Sequence, residues 1–170
     1  MSIRFIVITV PPAAVAEPVQ RLRRELNAVA GSSEALAYPP HVTLRTGFVV
    51  PDGAVDGLLA DFELLLTGAE PFRMQTAGVR CGWYEQDNGP QPIVCYRIER
   101  TRQLLALNRT LLAYRRYRKS DRTHFDPHLS LAYGDLSREG FTRLQTLLAD
   151  RAEIRETAFH WVCDHVALYT

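Results

Sequence analysis

Two short stretches of the chain carry residue types that can move protons. Pro40-His41-Val42-Thr43-Leu44 returns as Pro127-His128-Leu129-Ser130-Leu131: proline, histidine, aliphatic, hydroxyl residue, leucine. In an extended strand residues i and i+2 share a face, so His41 projects with Thr43, and His128 with Ser130. Val42, Leu44, Leu129 and Leu131 then point the opposite way, into a core. An imidazole takes or gives a proton near neutral pH, and hydroxyls donate hydrogen bonds to oxygens on which negative charge builds up. If the two strands face one site, that site holds an acid, a base and two hydroxyl donors. A lone His-x-Thr is ordinarily a half-buried histidine. Two copies, each behind a proline and in matching places, argue for function.

The elements that must position them repeat in order. Ile3 to Val10 reads as a buried strand, and Ala13 to Ala30 as a helix with Val15, Val19, Leu22, Leu26 and Val29 inward. Arg21, Arg23, Arg24 and Glu25 cover its other side, Gly31 stops it, and Ser32 to Pro40 form a loop. The first histidine strand runs from His41 to Val50. Asp52 caps a second helix ending at Gly68, and strands at Phe72 to Trp83 and Ile93 to Ile98 form a hairpin across Asp87-Asn88-Gly89-Pro90. Thr101 then caps a third helix, a basic connection from Arg115 to Asp126 leads to the second histidine strand (His128 to Tyr133), Ser137 opens a fourth helix, and one strand from Phe159 to Tyr169 closes the chain. Ile6 precedes His41 by the same interval, to within one residue, as Val94 precedes His128. The expectation is an α+β domain of two lobes spanning 1–170. Its pseudo-symmetric halves, about 1–85 and 90–170, each carry an antiparallel-rich sheet with two helices outside and a cleft between.

Composition narrows the classes. A formal net charge of +1 gives no bulk attraction for nucleic acid or membrane. The apolar run Phe5 to Val10 is far short of the ~20 residues of a membrane helix. Cys81, Cys95 and Cys163 fit no zinc spacing and are read as reduced, mostly buried thiols of a cytoplasmic protein. A monomer is expected.

The two His-x-Ser/Thr motifs resemble the signature of the 2H phosphoesterase superfamily, which includes the RNA 2′,3′-cyclic phosphodiesterases once called 2′–5′ RNA ligases and the plant and yeast cyclic phosphodiesterases. Tyr133, three positions after Ser130, and the closing Asp164-His165-Val166-Ala167-Leu168-Tyr169 are similar to the plant and yeast branch. The resemblance implies opening of a 2′,3′- or 1″,2″-cyclic phosphate on a nucleotide or RNA end, without metal or other cofactor. It implies His41, Thr43, His128 and Ser130 as the catalytic set, with His128 as base and His41 as acid; a pseudo-symmetric site can also run with the two roles exchanged. RNA 2′–5′ ligation is the same site run backwards, and a phosphate-binding module without turnover is the competing class.

Further substrate contacts are expected from Tyr133 and Tyr38, and from the basic run through Arg115, Arg118 and Lys119, where a phosphate backbone could be gripped. A solvated helix end is the plain alternative for that run. Trp83 and Tyr84 are read as covering the sheet, with base stacking the alternative. His124-x-Asp126-x-His128 has the look of alternate metal ligands, but that arrangement leaves His41 unexplained. His165, whose i+2 neighbour is Ala167, is read as structural or cleft-lining, and His160 likewise.

Overall fold

Each histidine motif opens a central strand of one seven-stranded antiparallel sheet. The computed structural model describes residues 2–86, 89–117 and 125–170. The first half runs β1 (Ser2–Thr9), α1 (Ala13–Ala30), a 3₁₀ turn (Glu34–Ala37), β2 (Val42–Pro51), a second 3₁₀ turn (Asp52–Ala54), α2 (Val55–Leu65) and β3 (Phe72–Gln86). The second runs β4 (Gly89–Ile98), α3 (Arg102–Ala113), β5 (His128–Ala132), α4 (Arg138–Asp150), α5 (Ala152–Glu156), β6 (His160–Cys163) and β7 (Ala167–Tyr169). The strand order β6-β3-β4-β5-β2-β1-β7 places β2 and β5 side by side, with β1 and β4 flanking them. Each half therefore contributes one of the two central strands, as the pseudo-symmetric expectation requires. Beyond them the halves exchange strands: β3 of the first lies beside β4, and β7 of the second beside β1.

Burial follows the pleat. Val42, Leu44, Leu129 and Leu131 are fully buried, while His41, Thr43, His128 and Ser130 are half-buried. The helices cover the apolar face. Thr101 and Ser137 cap α3 and α4 as expected, accepting from Leu104 N and Gly140 N. Gly31 takes a left-handed φ of 71° and closes α1 through its N–H to Asn27 O at 2.9 Å. Gly140 allows α4 to cross the end of α1, because a Cβ there would lie 2.5 Å from Ala30 O.

Several expectations need correction. The closing strand is two strands at opposite ends of the sheet, separated only by residues 164–166. Three intervening residues limit the Cys163–Ala167 span to about 14 Å, so the sheet curls until its outer strands meet. The Cys163 thiol duly lies 3.4 Å from Thr9 Oγ1 on β1. Asp52 lies in a 3₁₀ turn, and α2 begins only at Val55, with Ala54 at its capping position. The loop after Gly31 contains a 3₁₀ turn, held by the Asp135 carboxylate, which accepts from Ser33 N, Ser33 Oγ and Glu34 N. The short α5 carries no run long enough to stand out in the sequence. On α1, Val29 is 40% exposed and Arg23 is 1% exposed, the reverse of the amphipathic reading.

Candidate active site

The geometry of the site follows from one strand pair. Val42 pairs with Leu129 in antiparallel register. Carrying that register one residue either way sets His41 opposite Ser130 and Thr43 opposite His128. The four side chains form a square on one face, with the histidines on its diagonal, about 7–8 Å apart at the backbone. That spacing leaves room for a phosphorus between two ring nitrogens. Both histidines, both hydroxyl residues and Tyr133 line a single cleft of about 240 Å³.

Each ring is aimed by its own chain. His41 Nδ1 lies 2.8 Å from Pro39 O, and His128 Nδ1 lies 2.8 Å from Asp126 O. A carbonyl only accepts, so Nδ1 carries the proton in each ring and proton exchange falls to Nε2. The proline in each motif makes this possible: Pro40 and Pro127 hold the preceding residue extended and turn the i−2 carbonyl back to the ring. Burial leads in lowering the proton affinity of His41; the Pro39 hydrogen bond opposes it, and the charges of Arg23 and His128 add to it. Burial pushes the Tyr133 phenol up, so it stays a hydroxyl donor at neutral pH.

Buried amides on the helices hold the two strands from behind. Asn27 on α1 donates to Leu131 O at 2.8 Å, and Asn108 on α3 donates to Leu44 O at 2.8 Å. Leu44 and Leu131 stand at the same place, three residues after the two histidines. Asn27 and Asn108 were not singled out in the sequence, although each interrupts an apolar stripe at core-facing spacing. Continued alternation along β2 would place Arg45 in the cleft with Thr43. The ladder with β1 shifts register between Val7 and Ile8, opposite Arg45 and Thr43. Arg45 accordingly turns to α3, donating to Leu111 O and lying 4.1 Å over the Phe48 ring, and Thr46 lines the cleft instead.

Other candidates are distributed as follows. Tyr38 sits edge-on to His41 at 6.4 Å between ring centroids and to Tyr169 at 5.9 Å. Tyr84 lines the cleft, edge-on to His128 at 5.5 Å, and so does more than cover the sheet. Trp83 instead packs on Phe141 of α4. Arg115 is exposed beyond the end of α3 and is not among the described residues lining the cleft; Arg116 is paired with Asp61 at 2.9 Å. Arg118, Lys119 and His124 lie outside the described residues. Asp126 is engaged by Arg80 at 2.6 Å, and among the described residues no three His, Cys, Asp or Glu side chains gather as metal ligands. His165 pairs with Asp164 at 2.7 Å beside a larger groove of about 620 Å³ between α3 and the β6–β7 connection, away from the paired histidines. His160 is exposed on β6. The three thiols are free, and burial pushes that of Cys95 up to about 11. No helix among the described residues is long and apolar enough to cross a membrane.

Comparison with known proteins follows the same lines. The family described as the 2′-5′ RNA ligase superfamily matches residues 11–170. No curated protein matches the chain significantly. Among solved structures, TT0787 of Thermus thermophilus superposes with a TM-score of 0.61 at 16% identity, covering 98% of this chain and 87% of its own. E. coli LigT complexed with 3′-AMP gives 0.57 at 15% identity over 99% and 88%. Kluyveromyces marxianus Usb1 gives 0.54 at 13% identity over 97% and 92%. At such identities the likeness speaks for the fold.

Proposed function

Because this chain belongs to the 2′-5′ RNA ligase superfamily, within the 2H phosphoesterases, we propose that its cleft opens cyclic phosphates by two-histidine acid–base catalysis. The observation that carries the reading is the pair of imidazoles in one cleft, each with Nδ1 held by its own i−2 carbonyl. Water attacks phosphorus in line with the departing ribose oxygen. One Nε2 takes the water proton, and the other gives a proton to the leaving oxygen. Thr43, Ser130 and the Tyr133 hydroxyl donate to the non-bridging oxygens as charge grows on them.

The substrate is a 2′,3′- or 1″,2″-cyclic phosphate on a nucleotide or an RNA end. A cleft of about 240 Å³ falls just below the ~300 Å³ at which drug-sized ligands are enclosed. It suits the sugar phosphate, with the base or the rest of an RNA outside. E. coli LigT has been solved with 3′-AMP and with ATP, which supports nucleotide-sized ligands for this fold. Ligation to a 2′–5′ bond uses the same proton transfers with an RNA 5′-hydroxyl in place of water: the hydroxyl gives its proton to the base, its oxygen bonds to phosphorus, and the 3′ ribose oxygen leaves with the proton of the acid.

The test is turnover by purified protein, in chelator, of cyclic mononucleotides, ADP-ribose cyclic phosphate and RNA with a cyclic end. Hydrolysis of at least one, with a bell-shaped pH profile, is expected. Binding of all without turnover would replace the enzyme with a phosphate-binding module.

A further inference from the structure

Two side chains of β3 reach His128, one at the ring and one at the turn before it. Arg80 and Tyr84 stand four residues apart on β3 and share one face of the strand. The Tyr84 ring lies edge-on to the imidazole at 5.5 Å between centroids. Arg80 donates through Nη1 to Asp126 Oδ2 at 2.6 Å, and Asp126 O accepts from His128 Nδ1 at 2.8 Å. Asp126 therefore spends its side chain on Arg80 and its carbonyl on the imidazole. The strand ladder stops one residue short of that carbonyl: Ile98 N donates to Pro127 O at 3.0 Å, and Pro127 has no N–H of its own. Pro127 keeps Asp126 extended, and the carboxylate ties the residue to β3. Opposite Arg80 in the ladder stands Cys95, whose thiol burial keeps protonated. Among the described residues Asp126 is thus the charged partner of the guanidinium.

We propose that Arg80 is a positioning residue for His128: through the Asp126 carboxylate it locks the carbonyl that holds Nδ1, and so keeps proton exchange at Nε2. The inference rests on the cyclic-phosphate reading above. It holds for either proton role of His128, since both need Nε2. A neutral imidazole in water favours the proton on Nε2, and the bond to Asp126 O reverses that preference. If the carbonyl drifts, the ring returns to its own tautomer or turns. As a base it would then meet water with Nε2 already protonated; as an acid it would present its proton in the wrong place. The side chains of Arg80 and Asp126 are 31% and 28% exposed, and an ion pair so open to water adds little to stability. What the pair supplies is the place of one carbonyl. Thr43, Ser130 and Tyr133 hold the phosphate without passing through this turn, so kcat should depend on Arg80 more than KM does.

The test is NMR assignment of the neutral imidazole tautomers in substrate-free protein, read with kcat and KM, for wild type, Arg80→Met, Asp126→Ala, the double variant and Asp126→Asn. His41, held by Pro39 O, is the internal control. In wild type both rings should carry the proton on Nδ1. Arg80→Met and Asp126→Ala should shift only His128 towards the Nε2–H form and lower kcat about 10–10²-fold, with KM little changed. The double variant should lose no more than either single one, because both act through one link. Asp126→Asn keeps an acceptor for Nη1 and should stay nearer wild type than Asp126→Ala; where Arg80→Met does not fold, that contrast decides the same question. An unchanged His128 tautomer and kcat in folded Arg80→Met, an equal shift at His41, or losses that multiply in the double variant overturn the inference. No turnover of any cyclic phosphate by wild type, with the shift confined to His128, overturns the reading of the reaction and upholds the action of Arg80 on the ring.

Discussion

The buried amides behind the histidine strands lend themselves to a quantitative test. Asn108→Ala removes the donor to Leu44 O, in a place where Leu44 is fully buried and Asn108 is 7% exposed. An orphaned buried carbonyl costs about 1–3 kcal/mol. For a chain of this size each kcal/mol lowers Tm by about 2–4 °C, so a fall of about 2–12 °C is expected. Asn27→Ala should cost more. Asn27 is fully buried, donates to both Leu131 O and Arg23 O, and accepts from Ser32 Oγ at 2.7 Å; losing the Ser32 link adds about 1 kcal/mol. The assay is urea unfolding, with m unchanged if only stability is altered, together with turnover measured well below Tm. Each amide holds the strand of a different histidine, so loss of aim should lower kcat in both variants, by up to about 10²-fold for a displacement near 1 Å. Stability within about 0.5 kcal/mol of wild type, with full turnover, would show that neither carbonyl depends on its amide and that the strands need no such support.

Four further outcomes follow from the same geometry. His41→Ala and His128→Ala should each lower kcat about 10²–10⁴-fold in steady-state assays, and near-full activity in either refutes the two-histidine mechanism. Thr43→Ala or Ser130→Ala should reduce kcat, by up to about 10²–10³-fold for a well-placed oxyanion donor, with a smaller change in KM. Gly140→Ala forces a Cβ to within 2.5 Å of Ala30 O and should destabilise by about 1–3 kcal/mol in chemical denaturation without altering the pH profile. Neutralising Arg118 and Lys119 together should flatten the salt dependence of RNA binding by about one unit of log–log slope per lost phosphate contact, and an unchanged slope assigns that run to solvent.

Local pattern was enough to set the face of each motif. Alternation with a period of two, backed by a proline and an aliphatic core residue in each copy, was enough to set His41 with Thr43 and His128 with Ser130. The caps at Thr101 and Ser137 and the left-handed stop at Gly31 were equally local, because each depends on a few consecutive residues. Which strands meet depends on contacts between distant parts of the chain. Phe159 to Tyr169 reads as one strand because pattern carries no information on partners; the curl of the sheet splits it between two edges. Arg23 lies at helical spacing between Val19 and Asn27, so its position was legible, but its charge argued for the solvent side. What overrode the charge was a pair of acceptors, one of them the Tyr38 carbonyl fifteen residues on. Arg45 shows the same limit from the other direction: an irregularity in the pairing with β1 falls beside it, and its guanidinium is drawn to the Leu111 carbonyl of α3. Local periodicity thus specified what each strand presents, and long-range pairing specified to whom.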